Sequence, residues 1–239
     1  MDDHSQTDHG GNVDAFSTTE KIARAEGQLE DGLFPQEREI AEKYFSAGES
    51  VLDLGCGAGR TTVQLVDGGL DVVAVDVSEP MVEAARSLTG DAALGIADAT
   101  RLPFADNSFD NVLFSYNGLD YPYPATERLR ALSEIWRVLN PNGTFAFSSH
   151  NTWYTLPALV SDWGFLRKFY LAPENRDRSS RRYKVDRRDR IALETYFSNP
   201  LHQWRQLRGA GFRLEAVIGK RDSPLRFFER GLYYVARPV

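Results

Sequence analysis

Gly55, Gly57 and Gly59 alternate with other residues in VLDLGCGAGR, residues 51–60, between a short apolar run and a stretch of helical periodicity. Positions without side chains let backbone N–H groups approach a ligand closely and let a tight turn take positive φ. A dinucleotide fingerprint, GxGxxG, requires glycine at position 60, where this chain has Arg60, so the GxGxG spacing argues against a nicotinamide enzyme. Two carboxylates follow at the ends of later apolar runs, Asp76 in VVAVD and Asp98 in ADATRLPF. Either has a bland reading, Asp76 as a helix cap and Asp98 as an ordinary loop residue. Cys56, inside the glycine loop, reads as a small packed residue rather than a nucleophile. His150 follows another apolar run; a neutral imidazole there can take a proton near pH 7, or it can orient Asn151 and cap the next turn. His4 and His9 lie in the first residues and His202 in a helical pattern. No His, Cys or carboxylate cluster has metal-ligand spacing.

Such residues must be held by regular elements. Short β-branched or apolar runs alternate with amphipathic stretches from Val51 to Phe147, the pattern of a parallel α/β sheet. Strands are expected at Ser50–Leu54, Asp71–Asp76, Ala92–Ala97, Phe109–Ser115 and Gly143–Ser149. Helices fall at Thr61–Val66, at Glu79–Leu88 after an N-cap Ser78, and at Ala125–Leu139 before Pro141. Asn199-Pro200 caps a further helix, Leu201–Arg208, which ends at Gly209 and Gly211. Arg213–Gly219 and Leu232–Arg237 have no helix between them and form an antiparallel pair at the sheet edge. The expected fold is a doubly wound, mostly parallel seven-stranded α/β sheet with the last strand antiparallel. In such sheets ligands lie beyond the carboxyl ends of the strands, where the glycine loop, both carboxylates and His150 all fall.

VLDLGCGAGR is similar to the first motif of class I S-adenosylmethionine-dependent methyltransferases, in the small-molecule branch that includes the ubiquinone-type methylases. Asp76 in VVAVDVSEPMV, Asp98-Ala99 in ADATRLPFADNSFD, and WRVLNPNGTFAFS from Trp136 to Ser148 resemble later motifs, in order, over about Gly48 to Ser149. The resemblance implies S-adenosylmethionine as cofactor, S-adenosylhomocysteine as product and a Rossmann-like methyltransferase fold. It also implies that Asp76 accepts from both ribose hydroxyls, a task suited to a carboxylate's two oxygens. Val77 and Met81 would flank the adenine, Asp98 would accept from its amino group, and the Ala99 N–H would donate to the ring. Asp53 would bind the methionine amino group, directly or through water, or fix the loop by accepting its N–H groups. Tyr116 and Asn117, after the fourth strand, would sit beside the methyl donor.

Methyl transfer to cytosine carbon 5 requires a cysteine after the fourth strand. Ser115-Tyr116-Asn117-Gly118-Leu119-Asp120 lacks one, and it also lacks the Asn/Asp-Pro-Pro-aromatic motif of the adenine and glutamine methylases. There remains in-line transfer to an oxygen, nitrogen, sulfur or activated carbon of a small molecule, with His150 and Tyr116 as candidate catalytic residues. Asp120 is expected to bind an acceptor amine or to be solvated. An RNA-directed enzyme and a noncatalytic S-adenosylmethionine-binding protein are the alternatives.

Residues 1–14 read as a disordered tail, 15–47 as a helical cap with an amphipathic helix from about Pro35, and 48–239 as the methyltransferase domain. An insertion at about 151–198 is longer than a compact sheet needs and reads as an acceptor lid. Trp153, Tyr154, Leu156, Leu159, Val160, Trp163, Phe165, Leu166, Phe169 and Tyr170 recur there at helical spacing. Arg176 to Arg190 is a basic stretch, read as a solvated loop or hairpin and alternatively as a site for an acidic acceptor or tRNA. A net charge of −6 argues against broad capture of nucleic acid or anionic lipid. A single cysteine, strand-sized apolar runs and no secretory pattern in Met1–Asn12 point to a cytoplasmic protein.

Overall fold

The computed structural model describes residues 9–90, 92–156, 182–186 and 193–239. Seven strands form one sheet: β1 (Ser50–Leu54), β2 (Asp71–Asp76), β3 (Ala93–Ile96), β4 (Phe109–Phe114), β5 (Leu139–His150), β8 (Phe212–Ile218) and β9 (Gly231–Pro238). Their order is β3-β2-β1-β4-β5-β9-β8. Pairing is parallel from β3 through β5, and β9 runs antiparallel to both β5 and β8. The strand order reverses between β1 and β4, so the ends of these two strands open a crevice where a ligand can lie.

Alternation along the central strands builds two cores. Leu52, Leu54, Val112, Phe114, Phe145 and Phe147 face one side, under α6 (Ala125–Val138) and α7 (Pro200–Gly209). Val51, Val72, Ala74, Leu113, Ala146 and Val235 face the other, where Ile40 of α3 (Pro35–Tyr44) and Leu65 of α4 (Arg60–Asp67) pack. Helix α5 (Glu79–Arg86) buries Met81, Val82 and Ala85. Strand β5 starts earlier than expected, because Leu139 pairs with Phe109 before a register shift passes Pro141 and Asn142. Asn199 caps α7 as expected, its side chain accepting from the His202 N–H. Ser78 stands at the α5 N-cap, but its hydroxyl bonds the Ser17 hydroxyl at 3.0 Å; Asp76 Oδ1 accepts the Ser78 N–H instead.

The tail expectation for residues 1–14 requires correction from His9 onward; residues 1–8 lie outside the described residues. Helix α1 spans His9–Phe16 and is followed by α2, Thr19–Gly27. Buried Asn12 explains the order: its amide donates to the carbonyls of Tyr121 and Glu194 at 2.7 and 3.0 Å and accepts the Glu194 N–H at 2.9 Å. Glu194 lies on β7 (Leu193–Tyr196), paired antiparallel with β6 (Tyr183–Asp186) in a hairpin within the insertion. Tyr183 fixes that hairpin by donating to the Pro122 carbonyl at 2.5 Å. Trp153 and Tyr154 lie in a 3₁₀ turn, Thr152–Thr155. Leu159, Val160, Trp163, Phe165, Leu166, Phe169 and Tyr170 lie outside the described residues, as do Arg176, Arg178, Arg181, Arg187, Arg188 and Arg190.

Helix α3 docks through a buried ion pair. Arg60 donates to both Glu37 oxygens at 2.6 and 2.8 Å, and also to the Gly32 carbonyl. Glu37 further accepts from the Phe34 N–H and from the hydroxyls of Tyr233 (2.6 Å) and Ser115. Burial alone would raise the Glu37 carboxyl, but Arg60 and the two hydroxyls hold it below the ordinary range. Removing one partner strands a buried charge. Glu37→Ala is expected to cost about 3–5 kcal/mol in urea unfolding, and Glu37→Leu with Arg60→Met distinctly less; equal losses would show that the pair itself contributes the stability.

Candidate active site

A cleft of about 1090 Å³ opens at the carboxyl ends of β1, β2, β4 and β5, roofed by α1, α2 and the segment leading into α3. Gly55, Cys56 and Gly57 line it. Gly57 has φ +55°, and a Cβ built there would meet no protein atom within 4 Å, so this is where the loop leaves room for a ligand. A Cβ on Gly59 would approach Thr89 Cγ2 to 2.6 Å, and Gly59 does not line the cleft; its part is the close packing behind the loop. Cys56 is buried, and burial, reinforced by Asp53 and Asp76, drives its thiol well above the ordinary range, so it is not a thiolate nucleophile.

Asp76 lines the cleft at the end of β2. Its Oδ2 accepts from Gly57 N and its Oδ1 from Ser78 N, both at 2.9 Å, which ties the glycine loop to the start of α5. Burial raises its carboxyl, opposed by these N–H groups. Val77, Met81 and Ala99 supply apolar lining, with Asp98 beside them. Asp98 Oδ1 accepts the Thr100 N–H at 2.8 Å, and Oδ2 has no partner among the described residues. An open glycine cradle, a carboxylate at the end of β2 and an apolar slot ending in a second carboxylate fit a nucleoside with a polar tail. They are the right donor and acceptor set for S-adenosylmethionine.

Asp53 stands off the cleft. Fully buried, it accepts the Thr61 and Thr62 hydroxyls on Oδ2 at 2.6 and 2.7 Å, while Oδ1 has no partner among the described residues. Of its two expected roles, binding the methionine amino group or accepting the loop N–H groups, the structure shows neither contact; Asp53 fastens the loop to α4 through the two hydroxyls instead.

Across the cleft, Tyr116 and Asn117 take φ of 50° and 62°, side chains turned sharply after β4. The Asn117 N–H donates to Ser148 Oγ at 2.7 Å, which pins the turn to β5. Tyr116 stacks on Phe34, and its hydroxyl accepts from Gln28 Nε2 at 3.0 Å, so it joins the cap to the sheet edge. His150 also lines the cleft. Its Nδ1 lies 2.9 Å from Asp120 Oδ2, which accepts the His150 N–H as well. Asp120 is neither solvated nor open to an acceptor: it is fully buried, with Oδ1 accepting from Arg128 and Ser149. Arg128, also fully buried, is held by Gln203, Gln206 and the face of Tyr196. Sequence reasoning missed Glu37, Arg128 and Tyr233 altogether. Pro35 with Glu37 two residues later, an N-terminal helix signature, was the one local signal for Glu37.

Among the described residues, no group of three His, Cys, Asp or Glu can hold a metal ion, and no helix is long and apolar enough to cross a membrane. Residues 51–143 match a family model described as a methyltransferase domain. The chain is 41% identical over 128 residues to a demethylmenaquinone methyltransferase of Beutenbergia cavernae, covering 53% of this chain and 50% of that one. It is 40% identical over 98 residues to an uncharacterized methyltransferase of Mycobacterium tuberculosis, covering 41% and 38%. The chain thus spans about half the length of the curated relatives it matches. A solved S-adenosylmethionine-dependent methyltransferase of Methanosarcina mazei superposes with a TM-score of 0.70 at 20% identity, over 87% of this chain and 99% of that one. By sequence, residues 51–143 are similar to a methyltransferase domain, and the chain shares its fold with that solved methyltransferase.

Burial raises the Asp53 carboxyl to about 6. The folded state therefore holds a proton that the unfolded chain, with an ordinary aspartate near 3.9, has released, and stability falls as pH rises from about 4 to about 6. Asp53→Asn keeps an acceptor for the two hydroxyls without this dependence. Its advantage over the parent in unfolding free energy should grow by up to about 3 kcal/mol between pH 4 and pH 7; an advantage that stays flat with pH would refute the assignment.

Proposed function

We propose that this chain transfers a methyl group from S-adenosylmethionine to a small-molecule acceptor held in the cleft, with His150 as the general base. The observation that carries the reading is His150, held by buried Asp120 and lining the same cleft as the glycine cradle. The cofactor supplies a methyl group on a sulfonium leaving group, so the protein's work is alignment, exclusion of water and proton removal. Gly57 gives close backbone approach, Asp76 receives the ribose hydroxyls, and Asp98 and the Ala99 N–H read the adenine between Val77 and Met81. Tyr116 and Asn117 bound the methyl-donor end, with Phe34 and Gln28 of the cap closing over it.

Asp120 accepts the Nδ1 proton of His150, which leaves Nε2 as the lone-pair nitrogen. Nε2 has no hydrogen-bond partner among the described residues and can take a proton from an acceptor hydroxyl, ammonium or acidic C–H. Arg128 and Ser149 keep the Asp120 carboxylate oriented toward the imidazole. The relatives named as demethylmenaquinone methyltransferases suggest a quinone-type aromatic acceptor. The family match ends at Gly143, ahead of His150 and the insertion, so that suggestion rests on the relatives alone.

Titration calorimetry with S-adenosylhomocysteine is expected to give binding that Asp76→Ala weakens about 10- to 100-fold, the worth of one charge-assisted hydrogen bond; unchanged affinity would remove Asp76 from the cofactor site. Once an acceptor is found by screening, His150→Gln is expected to lower kcat by about 10²- to 10⁴-fold with cofactor affinity intact. Full activity in that variant would end the general-base assignment, and binding without turnover across a broad acceptor panel would leave a noncatalytic binding protein.

A further inference from the structure

The charges lining the cleft are segregated. Asp76 and Asp98 lie at its nucleoside end, and Arg60 is neutralised by Glu37. At the opposite end, the segment between β8 and β9 brings Lys220, Arg221 and Arg230 to the lining together with Phe228. None of these three cations has a carboxylate partner among the described residues. Neighbouring arginines do: Arg226 pairs with Asp222, and Arg213 and Arg237 with Glu215. The one carboxylate among the three, Glu229, spends both oxygens on the N–H groups of Lys220 and Arg221, at 2.6 and 2.9 Å, which folds the turn and fixes where the two side chains begin.

Strand register brings this cluster next to the proposed base. Gly231 pairs with His150 across β5 and β9, and the Asn151 N–H donates to the Arg230 carbonyl at 2.9 Å. The Arg230 side chain therefore leaves the backbone one residue from the position opposite His150. An acceptor whose reacting atom lies at His150 would project the rest of itself along this wall, past an exposed aromatic ring and unneutralised guanidinium groups. Guanidinium groups bind carboxylate or phosphate in a two-pronged fashion, more strongly than neutral groups.

We propose that the β8–β9 segment is an anion subsite of the acceptor pocket, so that the natural acceptor is an aromatic or apolar molecule bearing a carboxylate or phosphate. This rests on the reading of the cleft as a methyltransferase site. It is tested on the full chain loaded with S-adenosylhomocysteine, by calorimetry against a panel of aryl carboxylates, aryl phosphates and the neutral methyl esters of each. Members in the anionic form are expected to bind at least about 10-fold more tightly than their esters. That preference should be lost on raising salt to 0.5 M (~4 Å screening length) and in Lys220→Gln/Arg221→Gln/Arg230→Gln, with affinity for S-adenosylhomocysteine unchanged. The carboxylate and phosphate arms tell which anion the subsite takes. No preference for any anionic member, or a preference that survives in the triple variant, overturns the subsite. Loss of S-adenosylhomocysteine affinity in the triple variant also overturns it, because the cations would then serve the cofactor. If the parent chain fails to bind S-adenosylhomocysteine, it is the methyltransferase reading of the cleft that fails.

Discussion

The buried pair of Arg60 with Glu37 is the constraint on which the cleft depends. Arg60 is the first residue of α4, directly after the glycine loop, and Glu37 belongs to the cap helix. Their contact adds a fixed charge pair to two elements that also share one apolar face of the sheet through Ile40 and Leu65. Hydroxyls from Ser115, after β4, and Tyr233, on β9, complete the carboxylate's shell. Four separate parts of the chain thus meet at one carboxylate. A low-dielectric setting makes the arrangement strong when complete and costly when any member is missing. The same arginine stacks on Phe34, which in turn stacks on Tyr116, so the ionic network continues into the aromatic wall of the cleft.

A second buried pair, Asp120 with Arg128, works differently. It has no part in joining cap to sheet. Its partners come from α6, α7 and the end of β5, and what it presents outward is one oxygen aimed at His150. One pair secures the glycine loop and the other the imidazole. Each puts an ionised side chain where apolar packing would cost less, and in each the return is a fixed direction for a neighbouring group.

The sheet was legible because its signals are local. Val51–Leu54 and Val72–Val75 are apolar runs of strand length, and the glycines, Ser78, Asn199-Pro200 and Asn142-Gly143 punctuate them by backbone chemistry alone. Asp76 and Asp98 could be found because they follow strands directly. What escaped was chemistry assembled across distance. Glu37 meets Tyr233 over 196 residues and Arg128 meets Gln203 over 75, and no spacing rule encodes either. Asp120 was visible but read as an acceptor-amine ligand or a solvated residue, since a charged residue in a loop reads as open to its surroundings unless its buried partner is known. Asp53 was the reverse case: its position in the motif is informative, yet its hydroxyl partners depend on how α4 turns back on β1.

Asn12 has a consequence for the order in which the molecule closes. One amide side chain joins α1 to the Tyr121 carbonyl and to β7, contacts separated by 109 and 182 residues. Loop-closure entropy makes such long-range contacts the last to form, after the sheet that supplies their framework, and local opening releases them first. The cleft's roof is therefore held by contacts that depend on the rest of the fold being in place.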